Sequence, residues 1–221
     1  MTKKRIELLL GSLLHDIGKV VYRTGKNKNH SDLGYEFVKE NCNIQNQEIL
    51  DQIRYHHEKN LSEASISRES SAYITYIADN IAAGIDRREI EGESGGFDRN
   101  MPLQSIFNIL NGNDQSMSYK PGYQIGNGEI DYPTPEEKRF DSCFYTRILK
   151  NTEAVLNGIS CTKEYIDSLL EGLEAYWSFI PSSTSRKERA DISLYDHSKI
   201  TAAIACCIED YCEENRIQDL K

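Results

Sequence analysis

His15 and Asp16 stand side by side inside an apolar run that spans residues 5–22. Within it Ile6, Leu9, Leu10, Leu13, Leu14, Ile17 and Val21 recur at three- and four-residue spacings, the period of a helix with one buried face. An ionised carboxylate carried into such a face is costly unless a cation or hydrogen-bond donors meet it. A divalent metal would supply that charge, with His15 as a second ligand from the same turn. A buried His–Asp pair satisfied by backbone groups is the plainer alternative, and the doublet alone does not choose between the two. Lys19 lies one turn further along the same face, placed to reach a substrate phosphate.

Almost every other periodic stretch also reads as helix. Ser31 suits the N-cap of a short helix carrying Leu33, Phe37 and Val38. Residues 46–58 turn Ile49, Leu50 and Ile53 inward, and an alanine- and isoleucine-rich helix runs from Ser71 to about Arg87. The pattern lapses between Glu91 and Pro135, which hold four of the five prolines and many of the glycines. Only Leu103 to Leu110 reads as helical there, and Gly122 to Tyr132 suits a small hairpin. Helical spacing returns over 136–157, 163–180 and 193–214, where Trp177 joins Leu169, Leu170, Leu173 and Ile180 in one stripe. The expected fold is all-α. One domain covers residues 1–215, with a helical core over 1–90 and 136–215, an irregular insertion over 91–135, and a tail over 216–221.

Charged residues make up 28% of the chain and hydrophobic ones 38%, ordinary for a globular protein. Glu7, His15, Asp16 and Lys19 interrupt the first apolar stretch, so it reads neither as a leader nor as a membrane span. The expected location is cytoplasmic, with no membrane partner. The six cysteines form no Cys-x-x-Cys pair and read as reduced core residues. A net charge of −9 argues against broad, passive binding to nucleic-acid phosphates. Any such contact needs a bound cation, a local basic patch or a partner.

Further candidate ligands lie on other helices. Asp79 sits among Ile77, Ala78, Ile81, Ala82, Ala83 and Gly84, small or apolar neighbours that let helices approach closely. His197 shares a face with Leu194, Thr201, Ile204 and Ile208. Each alone reads as well as a surface aspartate or a satisfied core histidine; three helices with inward His or Asp make that coincidence less attractive. His30, at a loop-to-helix junction, and His56 and His57, of which at least one faces the core, could complete a second position. Two ions about 3.5–4 Å apart, bridged by Asp16, would clamp a phosphate. Imidazole and carboxylate without thiolate favour Mn, Fe, Co, Ni or Mg over structural zinc.

These residues resemble the HD superfamily of metal-dependent phosphohydrolases, whose usual order is a His, a His-Asp doublet and a later Asp. Here His15-Asp16 and Asp79 match the doublet and the later Asp, while the first His is His197 near the C-terminus. The order is thus that of a circularly permuted HD helical bundle, in which the last helix must pack against the first. The strings LLHDIGKVVYR (13–23), IRYHH (53–57), YITYIADNIAAGIDRR (73–88), PLQSIF (102–107) and ISLYDHSKITAAIA (192–205) narrow the likeness. They resemble the N-terminal HD domain of the large, palm-containing signature subunit of type III CRISPR effectors, the III-A (Csm) type in particular.

The resemblance implies a nuclease that cuts single-stranded DNA with one or two divalent transition ions, Mn or Ni first and Co, Fe or Mg next. It carries His15, Asp16 and Lys19 as catalytic candidates, and His15, Asp16, Asp79, His197, His56, His57 and His30 as metal candidates. It also implies guide RNA and the other subunits of a type III complex as partners. The family's palm domains, with their Gly-Gly-Asp-Asp motif, are not matched, so cyclase activity is not expected and self-association through exposed surfaces is. Two alternatives remain open: a phosphohydrolase of small or cyclic nucleotides, and a non-catalytic docking module stabilised by its metal.

Overall fold

Thr2, Asn29, Asn46 and Ser193 open four of the helices, each accepting a hydrogen bond from an amide in the first turn. The structure, a computed structural model, describes residues 1–86, 90, 95–110, 115–120, 132–136, 139–158 and 162–221. In chain order the helices are α1 (Lys3–Leu14), α2 (Ile17–Arg23), α3 (His30–Asn41), α4 (Gln47–Tyr55), α5 (Glu58–Ser62) and α6 (Ser71–Asp86). They continue as α7 (Ser142–Gly158), α8 (Ile166–Trp177) and α9 (Leu194–Glu214). Among the described residues there are isolated bridges but no strand, so the expected all-α class holds. The expected hairpin falls almost wholly on residues 121–131, which lie outside the described residues, as do Arg87, Arg88 and Cys161.

α9 packs along both α1 and α6, while α4 packs on α1, α3 and α6. The last helix therefore meets the first, as a permuted bundle requires. Leu10, Leu13, Leu14, Ile17, Ile49, Leu50 and Ile53 form one buried cluster, into which Phe140, Tyr145, Leu173 and Trp177 also pack. The Trp177 indole nitrogen donates to Thr152 Oγ1 at 3.0 Å, which satisfies its polar atom inside the core. A buried polar network ties three helices together. Gln52 donates to the carbonyls of Glu7 and Glu48, accepts from Thr75 Oγ1 at 2.8 Å, and Thr75 in turn meets Ser12. Every amide atom of Gln52 is thereby used, so its burial costs little.

Several expectations are corrected. The apolar run 5–22 is two helices rather than one, with His15 and Asp16 at the break; Asp16 leaves helical geometry at φ −98°, ψ 9°. Asn29, rather than Ser31, caps α3, because its Oδ1 takes the Asp32 amide at 2.7 Å. The helix expected over 46–58 ends at Tyr55. The helix expected over 136–157 begins at Ser142: the Phe140 amide goes to the Asn100 carbonyl, and Asp141 Oδ1 takes the Phe144 amide. Leu103 to Leu110 holds only the 3-10 turn Ile106–Asn108, since Ser105 and Asn108 spend their hydrogen bonds on Met117. Of the cysteines, Cys42 is buried, but Cys143 and Cys207 are exposed; all five described ones are free thiols.

The segment 95–105 is pinned to the loop that precedes α9. The Arg186 amide donates to the Gly96 carbonyl at 2.9 Å, the Asp98 amide to the Thr184 carbonyl at 2.9 Å, and the Gln104 amide to the Ala190 carbonyl at 2.7 Å. Gly96 has φ +131°, a conformation open to glycine, and it turns the chain into this pairing. Residues 95–105 thus form a wall against that loop.

Candidate metal centre

The break between α1 and α2 turns His15 and Asp16 toward the middle of the bundle. His15 Nδ1 lies 2.7 Å from the Ser12 carbonyl, which can only accept, so the proton sits on Nδ1 and Nε2 faces inward. There Nε2 stands 3.3 Å from Asp16 Oδ2 and 3.5 Å from Asp79 Oδ1. His197 enters from α9, its Nε2 3.1 Å from Asp79 Oδ1 and 3.3 Å from Asp16 Oδ2. These four side chains are all buried, and their ligand atoms lie within 4.8 Å of one another.

The other oxygen of Asp16 faces a second group. Its Oδ1 is 3.3 Å from His30 Nε2 and 3.7 Å from His56 Nε2. His30 Nε2 in turn lies 3.3 Å from His56 Nε2 and 2.8 Å from His57 Nε2. His56 repeats the His15 device, its Nδ1 donating to the Ile53 carbonyl at 2.8 Å. Because α4 stops at Tyr55, both His56 and His57 reach the centre, where one of the two was the minimum expected. Asp79 Oδ2 lies 4.0 Å from His57 Nδ1, a second link between the groups.

Local sequence explains the close fit. α2 and α3 cross at Gly18, where an added Cβ would stand 1.7 Å from the His30 carbonyl oxygen. Glycine at this crossing lets His30 approach Asp16. Lys19 ion-pairs with Asp16 Oδ2 at 2.5 Å, one turn along α2, and lines the cleft outside.

The residue that sequence reasoning missed is Asp86. Its Oδ2 accepts from His197 Nδ1 at 2.8 Å. The signal was the seven-residue spacing, two turns, that puts Asp79 and Asp86 on one face of α6. A histidine whose far nitrogen is held by a carboxylate is the usual arrangement behind a metal ligand.

The electrostatics of the centre are dominated by its buried, opposed charges. Burial works against a charged His15, but Asp16 and Asp79 outweigh it and raise the imidazole to about 9. His197 is raised to about 10: burial opposes the charge, and hydrogen bonds to Asp16, Asp79 and Asp86 overcome it. Burial disfavours ionised Asp16 and Asp79, yet Lys19, His15 and His197 hold Asp16, and His15 and His197 hold Asp79, well below the usual carboxylate range. Burial and neighbouring imidazoles press His56 well down, and His57 to about 4.

A divalent ion fits these residues. Asp16 is 1% exposed, and its Oδ1 has no hydrogen-bond partner among the described residues. An orphaned buried carboxylate oxygen of this kind calls for a cation. Separations of 3.1–3.5 Å around the first group match ligands on neighbouring corners about a small divalent ion, which lie about 3 Å apart.

A cleft of about 410 Å³ opens onto the centre. Lys19, His30, His57, Asp79, Asp86 and His197 reach it from the helices, and Phe97 and residues 182–184, 188 and 189 from the insertion and the loop before α9. Tyr22 also lines it, under the Arg99 guanidinium at 3.8 Å from the ring centre. Tyr73 is buried in a small cluster with Leu61 and Ala72.

The helical bundle and its paired His/Asp centre agree with the family model described as "HD domain", which matches residues 2–84. A relative from Enterococcus italicus, named CRISPR system single-strand-specific deoxyribonuclease Cas10/Csm1 (subtype III-A), is 43% identical over 96% of this chain and 29% of its own length. Proteins of the same name from Streptococcus thermophilus and Mycobacterium tuberculosis are 39% and 34% identical, over 97% and 100% of the chain and 29% and 30% of theirs. The crystal structure of Csm1 in T. onnurineus superposes with a TM-score of 0.71 at 29% identity, covering 96% of this chain and 29% of that one. Over nearly its whole length the chain is similar to these Cas10/Csm1 proteins. It spans about 29% of the length of these first relatives. The HD domain and the buried His/Asp cluster together point to a bound divalent metal. No helix among the described residues is long and apolar enough to cross a membrane.

Proposed function

We propose that this chain hydrolyses phosphodiester bonds of single-stranded DNA as the HD part, residues 1–215, of a cytoplasmic type III-A CRISPR complex containing guide RNA and further subunits. The observation that carries the reading is Asp16, whose two oxygens face two separate groups of imidazole and carboxylate donors. His15, Asp79 and His197 would hold one ion, His30, His56 and His57 the other, with Asp16 between them. The donor chemistry favours Mn or Ni, with Co, Fe or Mg acceptable. When bound, such ions lower the pKa of water and draw charge from the phosphoryl oxygens.

The chain's own residues supply position. Asp86 fixes the His197 ring, and the Ser12 and Ile53 carbonyls fix His15 and His56, so three Nε2 atoms are aimed before substrate arrives. Lys19 Nζ, beside Asp16 at the cleft, is the cation placed to meet a phosphoryl oxygen. Attack by water on phosphorus forms one P–O bond as the ester P–O bond breaks, and the leaving oxygen takes a proton. Phe97 and residues 182–184 wall the cleft on one side, which suits a single strand. The names of the relatives support this substrate, since they are called single-strand-specific deoxyribonucleases.

A second reading has one observation in its favour. A cleft of about 410 Å³ is also the size of a small-ligand pocket, as a nucleotide phosphohydrolase requires. Labelled single-stranded DNA, duplex DNA and a cyclic dinucleotide incubated with the Mn-loaded chain separate the two. Cutting confined to the single strand, and abolished by EDTA, is the expected result. Turnover of the dinucleotide alone overturns the proposal.

A further inference from the structure

Arg23 ends α2 at 3% exposure, inside the wall of the same cleft. Its guanidinium lies 5.6 Å from the Tyr145 ring centre, and its Nη1 has no hydrogen-bond partner among the described residues. No carboxylate pairs with it among those residues. The acids that line the cleft are engaged elsewhere: Asp16 and Asp79 with the imidazoles, Asp86 with His197, and Glu188 with Ser183. A buried arginine left without an anion is expensive, and a planar fork of donors suits a phosphate.

The same cleft is also lined by an apolar ring that folding does not bury. Phe97 is 70% exposed, yet its backbone is clamped on both sides by the Arg186–Gly96 and Asp98–Thr184 hydrogen bonds. An aromatic face held rigidly in solvent at the mouth of a charged cleft is suited to stacking on an unpaired base.

We infer that Arg23 and Phe97 form a nucleotide subsite beside the metal centre, which takes a backbone phosphate and an adjoining base of a single strand. This rests on the single-strand reading above and adds to it: the subsite holds the strand without metal. Arg23 supplies the charge and Phe97 the sequence-tolerant stacking surface. Ser182 and Thr184, in the same wall, offer hydroxyls to the phosphate.

The test is binding of a fluorescein-labelled ten-residue oligothymidylate in EDTA, followed by anisotropy across a salt series. The wild-type chain is compared with Phe97→Ala, Arg23→Gln and a distant charge control, Lys150→Gln. Phe97→Ala is expected to weaken binding about tenfold with an unchanged salt slope, as loss of a stacking contact does. Arg23→Gln is expected to weaken binding and to flatten the slope by about 0.7, the loss of one phosphate contact. Lys150→Gln is expected to change neither. Should Arg23→Gln not fold, Arg23→Lys replaces it, with weaker binding at a wild-type slope expected, because the charge stays and the fork is lost. Wild-type binding that both variants leave intact, or no binding by the wild type, overturns the subsite. A chain that binds through these residues yet fails to cut in Mn keeps the subsite and refutes the nuclease reading instead.

Discussion

His197 is gripped from both ends of its ring by one helix: Asp86 accepts from Nδ1 at 2.8 Å, and Asp79 meets Nε2 at 3.1 Å. Two carboxylates two turns apart on α6 thus orient a single imidazole from α9. The arrangement couples the packing of α6 on α9 to the geometry of the centre. Asp86→Ala removes the outer grip and leaves the inner one. Mn affinity measured by calorimetry is expected to fall about ten- to a hundredfold with the fold intact by circular dichroism. Asp86→Asn, which keeps an acceptor but not the charge, should recover part of that loss.

The metal-free centre is expected to weaken on the alkaline side. His15 and His197 are raised to about 9 and about 10, above the usual imidazole value near 6.5. Groups raised in this way contribute stability in full below about 6.5, and lose it as pH climbs through 9 and 10. Thermal unfolding in EDTA should therefore show a falling midpoint from pH 8 to pH 10.5. Saturating Mn should flatten that limb, because the ion takes over the place of the protons, and its affinity should rise as pH increases. A metal-free midpoint that is constant across this range would show that the imidazoles are not charged in the folded chain.

Gly18 and Gly84 are expected to respond oppositely to the same methyl group. At Gly18 a Cβ meets the His30 carbonyl oxygen at 1.7 Å and the Gly34 amide nitrogen at 2.7 Å. Backbone on both sides cannot yield cheaply, so Gly18→Ala should cost about 3 kcal/mol or more and displace His30. At Gly84, on the exposed face of α6, a Cβ meets nothing within 4 Å. Gly84→Ala should add about 0.5–1 kcal/mol through lower chain entropy. Urea midpoints of the two variants check both signs.

Much of this was legible in the sequence, for identifiable reasons. His15, Asp16, Asp79 and His197 stood out because charged ligands on apolar helical faces are expensive, and the structure brings those four together. The break between α1 and α2 was not legible, since Ile17, Val20 and Val21 keep the apolar rhythm across it. Arg23 passed as one basic residue among several, because nothing in its neighbours shows that the cleft wall encloses it. Asp86 was visible only as a seven-residue interval. Phe97 was hidden for a different reason: its place depends on pairing with residues 184–186, nearly ninety positions away.

Arg5 joins the first and last helices through Glu209, Nε to Oε2 at 2.6 Å, with Glu209 buried. Arg5→Ala leaves that carboxylate without its partner and should destabilise the chain by about 1–3 kcal/mol. Arg5→Ala combined with Glu209→Leu should regain most of the loss, since no orphaned charge remains. Chemical denaturation of the single and double variants provides the comparison.

The central claim is that Asp16 joins two metal positions, and ion stoichiometry tests it most directly. Metal content after Mn loading and desalting would be measured by mass spectrometry for the wild type, His57→Ala and Asp16→Ala. The expected result is two ions per wild-type chain, one in His57→Ala, and fewer than one in Asp16→Ala. An Asp16→Ala chain that still carries two ions, or a wild type that never exceeds one, would contradict it.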